Sequence, residues 1–180
     1  YIIVFNGEIY NHNEIRNNYF KFHNWKSTSD TETVLAAFEK WGIKESLNYL
    51  VGMFSLAIWD RDEESLFLIR DRFGEKPLFY YKGNEGIVFA SELKAIESLI
   101  QSSLDINNKS LAIFLGLSYI PSPLSIYKNV FKLEPGHIIK FTNSVNPIST
   151  PYWSIEDKYA LSKKTPFQGS ENEAINELEN

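Results

Sequence analysis

The residues whose types best suit chemistry are Asn6 and Gly7, which interrupt an apolar, β-type run. The run Ile2–Phe5 precedes them, and Ile9 and Tyr10 resume the apolar pattern. A side-chain amide and a neighbouring backbone N–H, fixed at a strand end, are two donors that can converge on one oxygen, as an oxyanion hole requires. The alternative is a solvent-facing hairpin tip, because Asn-Gly is a preferred pair for a type I′ turn. The local pattern by itself favours the hairpin.

Two carboxylates are further candidates for binding. Glu8 directly follows the Asn-Gly pair, and Asp30 lies in the run Ser29–Glu32, which is typical of a helix N-terminus. Each carboxylate also has a structural interpretation. Glu8 suits a solvated hairpin charge, and Asp30 suits a first helical turn, where the helix dipole favours negative charge. Local pattern alone favours the structural interpretation of both residues.

The loop Arg70–Lys76 and the histidines carry weaker signals. The loop has three cationic residues, which suggests a phosphate site, but two acidic residues interleave and the glycine spacing is not that of a P-loop. We therefore predict a salt-bridged structural loop. His12, His23 and His137 lie far apart without metal-ligand spacing, so we predict no metal site.

Composition limits the function classes. The 180 residues are 43% hydrophobic, enough for one well-filled core, and no apolar run approaches membrane-spanning length. A formal net charge of −5 argues against nucleic acid as a partner, because phosphate-backbone affinity depends on clustered Lys and Arg. The sequence has no Cys, which excludes disulfides, thiolate metal sites and a Cys nucleophile within this chain. The chain opens in a strand-like run with no initiator Met or leader, so we expect a piece of a longer protein.

Apolar periodicity and capping signals predict the elements that must position these residues. The clearest is a helix that Ser29 caps, with Val34, Leu35, Phe38 and Trp41 on one face, ended by Gly42. Further helices are predicted over Asn11–Tyr19 with Asn11 as N-cap, Lys44–Tyr49, Ser91–Leu99, Asp105–Leu115 and Glu171–Glu179. Strands are predicted within Lys21–Thr28 and over Val51–Trp59, Ser65–Arg70, Leu78–Tyr81 and Gly86–Ala90, the last two joined by a turn at Gly83-Asn84. Val130–Leu133 and His137–Phe141 are predicted to form a hairpin around Pro135-Gly136. Tyr152-Trp153 is predicted to form a short edge strand. Ser144–Ser149 is predicted to be irregular and Lys163–Gly169 to be a linker. The order indicates an α+β fold with largely antiparallel sheets.

Five ordered blocks resemble a known family. They are Phe5–Asn11, Ser29–Glu32, Gly52–Phe54, Arg70–Leu78 and Phe89–Ala95. In this order they closely resemble the glutaminase domain of glutamine-hydrolysing asparagine synthetase, although the Arg-Asp-x-x-Gly-x-x-Pro-Leu and Ala-Ser-Glu patterns are also similar to other class II amidotransferases. The later blocks Tyr119–Pro123, Ile126-Tyr127, Lys132–His137 and Tyr152-Trp153 favour the synthetase.

The resemblance implies a fold and a domain plan. The fold is the N-terminal nucleophile hydrolase type, a four-layer sandwich of two antiparallel sheets between helical layers. Residues 1–160 would form a class II glutamine amidotransferase domain that is truncated at its N-terminus. Residues 161–180 would form a linker and the first helix leading to a synthetase domain that is absent from this chain.

The resemblance also implies site residues. In the family an N-terminal Cys attacks the side-chain amide of glutamine, ammonia leaves, and the resulting thioester is hydrolysed. Asn6 and Gly7 would supply the oxyanion donors and contact the substrate, Glu8 would help to hold glutamine, and Asp30 would pair with its α-ammonium group. Because this chain has no Cys, we expect the fragment itself to be inactive.

The implied partners are L-glutamine and a C-terminal synthetase domain of the same polypeptide, in the cytoplasm, and a homodimer remains open. The synthetase domain would use ATP and Mg²⁺ to amidate aspartate with the released ammonia, and this chain would hold no cofactor. Two other functions remain open. One is an asparagine-synthetase-like enzyme that amidates another carboxylate, such as one on a surface-polysaccharide sugar. The other is a non-catalytic binding module that lacks the nucleophile by nature.

Overall fold

The computed structural model describes residues 1–83, 86–100, 104–142, 147 and 149–179. The strands are β1 (Ile2–Ile9), β2 (Gly52–Asp60), β3 (Ser65–Arg70), β4 (Phe79–Gly83), β5 (Gly86–Ala90), β6 (Val130–Lys132), β7 (His137–Phe141) and β8 (Ser149–Pro151). The helices are α1 (His12–Tyr19), α2 (Asp30–Trp41), α3 (Ile43–Ser46), α4 (Leu93–Leu99), α5 (Asn108–Leu117), α6 (Ile155–Lys164) and α7 (Glu171–Glu179). The predicted turn at Gly83-Asn84 and the predicted irregular segment Ser144–Ser149 lie partly outside the described residues. No helix in the described ranges is long and apolar enough to cross a membrane.

The described strands form two antiparallel sheets. One has the order β1-β2-β3-β7-β8 and the other has the order β5-β4-β6. Helices α1 to α3 pack on one face of the larger sheet, and the smaller sheet covers its opposite face. Helix α4 contacts β4 and β5 of the smaller sheet. This helix, sheet, sheet, helix arrangement confirms the predicted α+β sandwich.

Strand β2 separates the two hydrophobic cores because successive side chains of a strand point to opposite faces. Its residues Phe54, Leu56 and Ile58 join the core beneath the helices, together with Val34 and Phe38 of α2. The intervening Ala57 instead joins the core between the sheets, with Leu68, Leu78, Leu133, Ile139 and Phe141. The near-continuous apolar run that predicted β2 therefore reflects burial on both faces.

Helix α2 forms where capping chemistry predicts it. The Oγ atom of Ser29 accepts a hydrogen bond from the Thr31 N–H at 3.2 Å, and Gly42 ends the helix with a positive φ of 79°. Glu32 does not bond the cap residue. It accepts bonds from the backbone N–H groups of Lys26 and Ser27 at 2.8 Å each, so it orders the preceding loop instead.

Four local predictions are wrong. The edge strand covers Ser149–Pro151 and not the predicted Tyr152-Trp153. The Asn11 side chain does not cap α1, because its amide bonds the Tyr49 carbonyl and the Val51 N–H. The segment Lys21–Thr28 contains no strand. Pro135 and Gly136 do not close a hairpin, because β6 pairs with β4 in one sheet and β7 pairs with β3 in the other.

A helix that sequence reasoning missed is α6, which begins after the N-cap Ser154 and reaches into the predicted linker. The predicted domain boundary after residue 160 falls within this helix. Helix α7 has the predicted bounds. The chain after the sheets is therefore more helical than its polar composition indicated.

Candidate active site at the edge of the larger sheet

Strand β1 does not turn at Asn6 and Gly7. It pairs with β2 over its whole length, with Asn6 opposite Ser55 and Gly7 opposite Phe54. The hairpin-tip interpretation of the Asn-Gly pair is therefore wrong. Among the described strands β1 forms the end of the sheet, so one of its sides has no neighbouring strand.

Backbone alternation decides which groups of β1 face that open side. Phe54 of β2 exchanges hydrogen bonds with Asp71 on the β3 side, and the Tyr10 N–H donates to the Val51 carbonyl. Along a strand, the backbone N–H and C=O groups of successive residues point alternately towards one neighbouring strand and towards the other side. The N–H groups of Gly7 and Ile9 therefore point away from β2 and towards the open edge.

Gly7 also allows a close approach between β1 and β2. A Cβ atom at this position would lie 2.1 Å from the Met53 carbonyl oxygen and 2.6 Å from the Phe54 Cα atom. Both obstacles are backbone atoms of a central strand, so they cannot move aside as a flexible side chain could. The backbone at this point of the edge consequently requires glycine.

The Asn6 side chain is exposed beside this backbone donor. Its Nδ2 atom donates to the Ser91 Oγ atom at 2.8 Å, which is a contact between the two sheets. A carboxamide carries two N–H donors, so this bond leaves one N–H of Asn6 for another acceptor. One side-chain donor and one backbone donor therefore come from adjacent residues at the same edge.

Asp30 lies farther along the same edge, in the first turn of α2. Its Oδ2 atom accepts the Ile9 N–H at 2.9 Å, and its Oδ1 atom lies 3.5 Å from the Ser29 Oγ atom. Because Gly7 and Ile9 are two residues apart on one strand, their N–H groups are about 6.8 Å apart. A carboxylate is thus held at one end of this distance and a backbone N–H donor at the other.

Acidic side chains lie on β1 and near the residue that follows it. Glu8 is exposed and extends from the same face of β1 as Asn6. Desolvation, followed by the charges of Glu75, Glu8 and Asp71, raises the pKa of the Tyr10 phenol. Glu75 and Asp71 are therefore acidic neighbours of Tyr10, the residue that follows β1.

A model of the glutamine amidotransferase domain matches residues 1–153 of this chain. The chain belongs to this domain family. The asparagine synthetase [glutamine-hydrolyzing] 2 of Bacillus subtilis is 35% identical over 162 residues, which are 87% of this chain and 21% of that protein. The putative asparagine synthetase [glutamine-hydrolyzing] 2 of Methanocaldococcus jannaschii is 38% identical over 160 residues, which are 87% of this chain and 30% of that protein. The chain thus spans less than a third of the length of these relatives.

Solved structures confirm the fold of this amidotransferase domain. Glutamine phosphoribosylpyrophosphate amidotransferase from Bacillus subtilis, complexed with ADP and GMP, matches with a TM-score of 0.58 and 18% identity. The match covers 85% of this chain and 29% of that one. At this identity the likeness concerns the fold, and it agrees with the predicted N-terminal nucleophile hydrolase sandwich.

The loop Arg70–Lys76 braces the amidotransferase domain from within. Asp71 is almost fully buried, and its carboxylate accepts four backbone N–H bonds, from Phe54, Phe73, Glu75 and Lys76. Its carbonyl oxygen accepts two more, from the Gly74 and Gly136 N–H groups at 3.2 and 2.8 Å. The loop therefore holds β2 and the turn before β7 in fixed positions.

The two arginines of this loop bond backbone carbonyls. Arg70 donates to the carbonyls of Gly74, Lys76 and Leu133, and partial burial lowers its pKa. Arg72 donates to the carbonyls of Leu47, Asn48 and Leu50 after α3. The structural role that the sequence predicts fits these bonds, but the predicted salt bridges are replaced by carbonyl contacts. Neither guanidinium group is presented to a phosphate.

The remaining sequence candidates do not assemble a site in the described residues. No group of three His, Cys, Asp or Glu residues in the described ranges is arranged to hold a metal ion. His12 begins α1 with a buried Nδ1 atom, and the His137 Nδ1 atom lies 2.7 Å from the Pro135 carbonyl oxygen. The structure thus places Asn6, Gly7 and Glu8 on one strand and bonds Asp30 to the same strand at Ile9.

Proposed function

We propose that this domain binds L-glutamine along the open edge of β1 and contributes to its hydrolysis to glutamate and ammonia. The observation that carries the proposal is the alignment of one carboxylate and two adjacent donors on one strand edge. Asp30 would receive the α-ammonium group. The Asn6 amide and the Gly7 N–H would receive the oxyanion that forms from the side-chain amide.

The dimensions of glutamine support this placement. Five bonds of about 1.2–1.5 Å separate its α-nitrogen from its side-chain oxygen, which gives an extended span of about 6 Å. The N–H groups of Gly7 and Ile9 are about 6.8 Å apart, and Asp30 is hydrogen-bonded to the latter. A ligand with an ammonium group at one end and an amide at the other can therefore engage both positions. The exposed carboxylate of Glu8, on the same strand, would help to hold glutamine.

The chemistry needs a thiol that these 180 residues do not contain. In the proposed reaction a thiol from outside these residues attacks the amide carbon as its thiolate and forms a tetrahedral oxyanion. The proton that the thiol gave up passes to the amide nitrogen, and the oxyanion collapses to a γ-glutamyl thioester and ammonia. Water then hydrolyses the thioester to glutamate and regenerates the thiol. The residues described here bind and orient glutamine and stabilise the oxyanion.

The full-length protein is proposed to be a cytoplasmic glutamine-hydrolysing asparagine synthetase. The names of the relatives support this proposal, and their greater length leaves room for a synthetase domain that amidates aspartate. ATP and Mg²⁺ would act in that domain. The carbonyl-bonded guanidinium groups of Arg70 and Arg72 support placing the nucleotide outside this chain.

The test is Asn6→Ala in the full-length protein, with glutamine-dependent and ammonia-dependent asparagine synthesis measured on one preparation. Losing one oxyanion donor costs about 10²–10³ in kcat, so glutamine-dependent synthesis should fall by that factor while ammonia-dependent synthesis persists. The matched control is Asn11→Ala, which removes an amide that bonds the Tyr49 carbonyl and the Val51 N–H. The control should lower stability and reduce both activities together.

Three outcomes would contradict the proposal. If Asn6→Ala behaves like the control, Asn6 determines the fold and not the reaction. If Asn6→Ala changes neither activity, the oxyanion assignment is wrong. If the full-length protein releases no ammonia from glutamine at all, the domain is a non-catalytic module. Replacing aspartate with other carboxylates in the ammonia-dependent assay tests the acceptor separately.

A further inference from the structure

We infer that Ser91 is a positioning residue that fixes the orientation of the Asn6 carboxamide, an inference that rests on the proposed function. Asn6 lies on β1 of the larger sheet, and Ser91 follows β5 of the smaller sheet. The bond from the Asn6 Nδ2 atom to the Ser91 Oγ atom, at 2.8 Å, joins the two sheets beside the proposed oxyanion site. In this inference Ser91 acts on the reaction only through Asn6.

The surroundings of Asn6 explain why such a bond matters. A cavity of about 80 Å³ between the sheets borders both residues. Apart from Asn6, Ser91 and Ser55 its lining is apolar: Val4, Leu56, Ala57, Leu78, Phe89 and Ala90. The terminal torsion of an asparagine side chain has a broad energy profile, so packing against apolar walls defines the amide plane poorly. A hydrogen bond to Ser91 fixes that plane.

Fixing the plane also selects which donor remains. One N–H of the carboxamide donates to Ser91, and the second N–H is left for another acceptor. Because Asn6 is exposed on β1, a ligand can reach this second N–H. A donor that is oriented before the reaction stabilises developing charge without reorganising. Because that charge exists only in the transition state, the contribution of Ser91 should appear in kcat and not in the KM for glutamine.

The experiment is Ser91→Ala in the full-length protein, with kcat and KM measured for ammonia release from glutamine. Loss of one neutral hydrogen bond predicts a fall in kcat of about 2- to 13-fold, with unchanged KM and unchanged ammonia-dependent synthesis. Ser91→Thr keeps a hydroxyl group and should restore most of the loss. The matched control is Ser98→Ala, which removes a 2.9 Å hydroxyl bond to the Lys94 carbonyl on α4 and should leave kcat unchanged.

A double-mutant cycle separates positioning from a general structural role. In the Asn6→Ala background, Ser91→Ala should have no further effect on kcat, because the amide that it orients is gone. The inference is overturned if Ser91→Ala leaves kcat unchanged, if its effect persists in that background, or if the Thr variant fails to restore activity. It is also overturned if both activities fall together.

These outcomes differ from failure of the proposed function. A large kinetic effect of Asn6→Ala with a silent Ser91→Ala refutes the positioning role and leaves the oxyanion site standing. A wild-type protein that releases no ammonia from glutamine refutes both. The two hypotheses are therefore distinguishable on one set of preparations.

Discussion

Replacing Asp71 with Asn is the perturbation whose cost follows most directly from the structure. The Oδ1 atom accepts the N–H groups of Phe73 and Glu75 at 3.1 and 3.0 Å, and Oδ2 accepts those of Phe54 and Lys76 at 3.3 and 2.9 Å. In Asp71→Asn one oxygen becomes an NH₂ group, and either amide orientation places it against two N–H donors. Each buried donor left without an acceptor costs about 1–3 kcal/mol, so the free energy of unfolding should fall by about 2–6 kcal/mol.

Urea unfolding of the chain, followed by tryptophan fluorescence, measures this change for Asp71→Asn. The sequence has four Trp residues to report it. Glu75→Gln is the matched control, because it removes the same charge from an exposed side chain of the same loop and should change stability by less than about 0.5 kcal/mol. An Asp71→Asn variant that unfolds within that range of the wild type, with the same m-value, would refute the buried-carboxylate reasoning.

The remaining predictions concern the two carboxylates of the first turn of α2. In the full-length protein, Asp30→Asn keeps an acceptor for the Ile9 N–H but loses the charge proposed to bind the α-ammonium group, so the KM for glutamine should rise about 10- to 100-fold with little change in kcat. A fall in kcat alone would contradict an ammonium contact. Glu32 has a lowered pKa because it accepts hydrogen bonds from Lys26 and Ser27. That stabilisation is complete above the ordinary glutamate range and is lost as pH falls through the lowered pKa. The unfolding midpoints of wild type and Glu32→Gln should therefore differ at neutral pH and converge in acid, and a constant difference would refute this account.

Local chemistry predicts elements whose bonds are local. Ser29 and Gly42 bracket α2 because a cap and a positive-φ terminus depend on residues within one turn. The same rule extends to α6, where the Ser154 Oγ atom accepts the Asp157 N–H at 3.1 Å. This Ser-x-x-Asp spacing is a signal that could have identified α6, although the helix has no buried residue to mark an apolar face.

The errors occur where a distant strand determines the outcome. Asn6 and Gly7 have ideal turn chemistry, but pairing with Ser55 and Phe54 keeps them within β1. Gly136 does lie in a turn, yet its N–H donates to the Asp71 carbonyl, and the strands on either side of the turn belong to different sheets. No local pattern contains these partners, because they come from elsewhere in the chain.

For the candidate site, too, some features can be predicted from the sequence and others require the structure. The donor types of Asn6 and Gly7 can be identified from the sequence, and the resemblance to a family assigns Glu8 and Asp30. The hydrogen bond from the Ile9 N–H to the Asp30 carboxylate depends on the packing of α2, and the one from the Asn6 amide to Ser91 depends on the packing of the second sheet. The geometry that fixes these groups therefore required the structure.

The open side of β1 has a consequence for how the domain behaves at high concentration. Unpaired backbone groups at a sheet edge are a template for strand addition, and the side chains of Ile2 and Val4 on this strand are 47% and 60% exposed. The same edge presents the Gly7 N–H that is proposed to receive the ligand. A second strand docked there would occupy that donor, so self-association and inhibition would be one event. Glutamine affinity of the chain would then weaken as its own concentration rises.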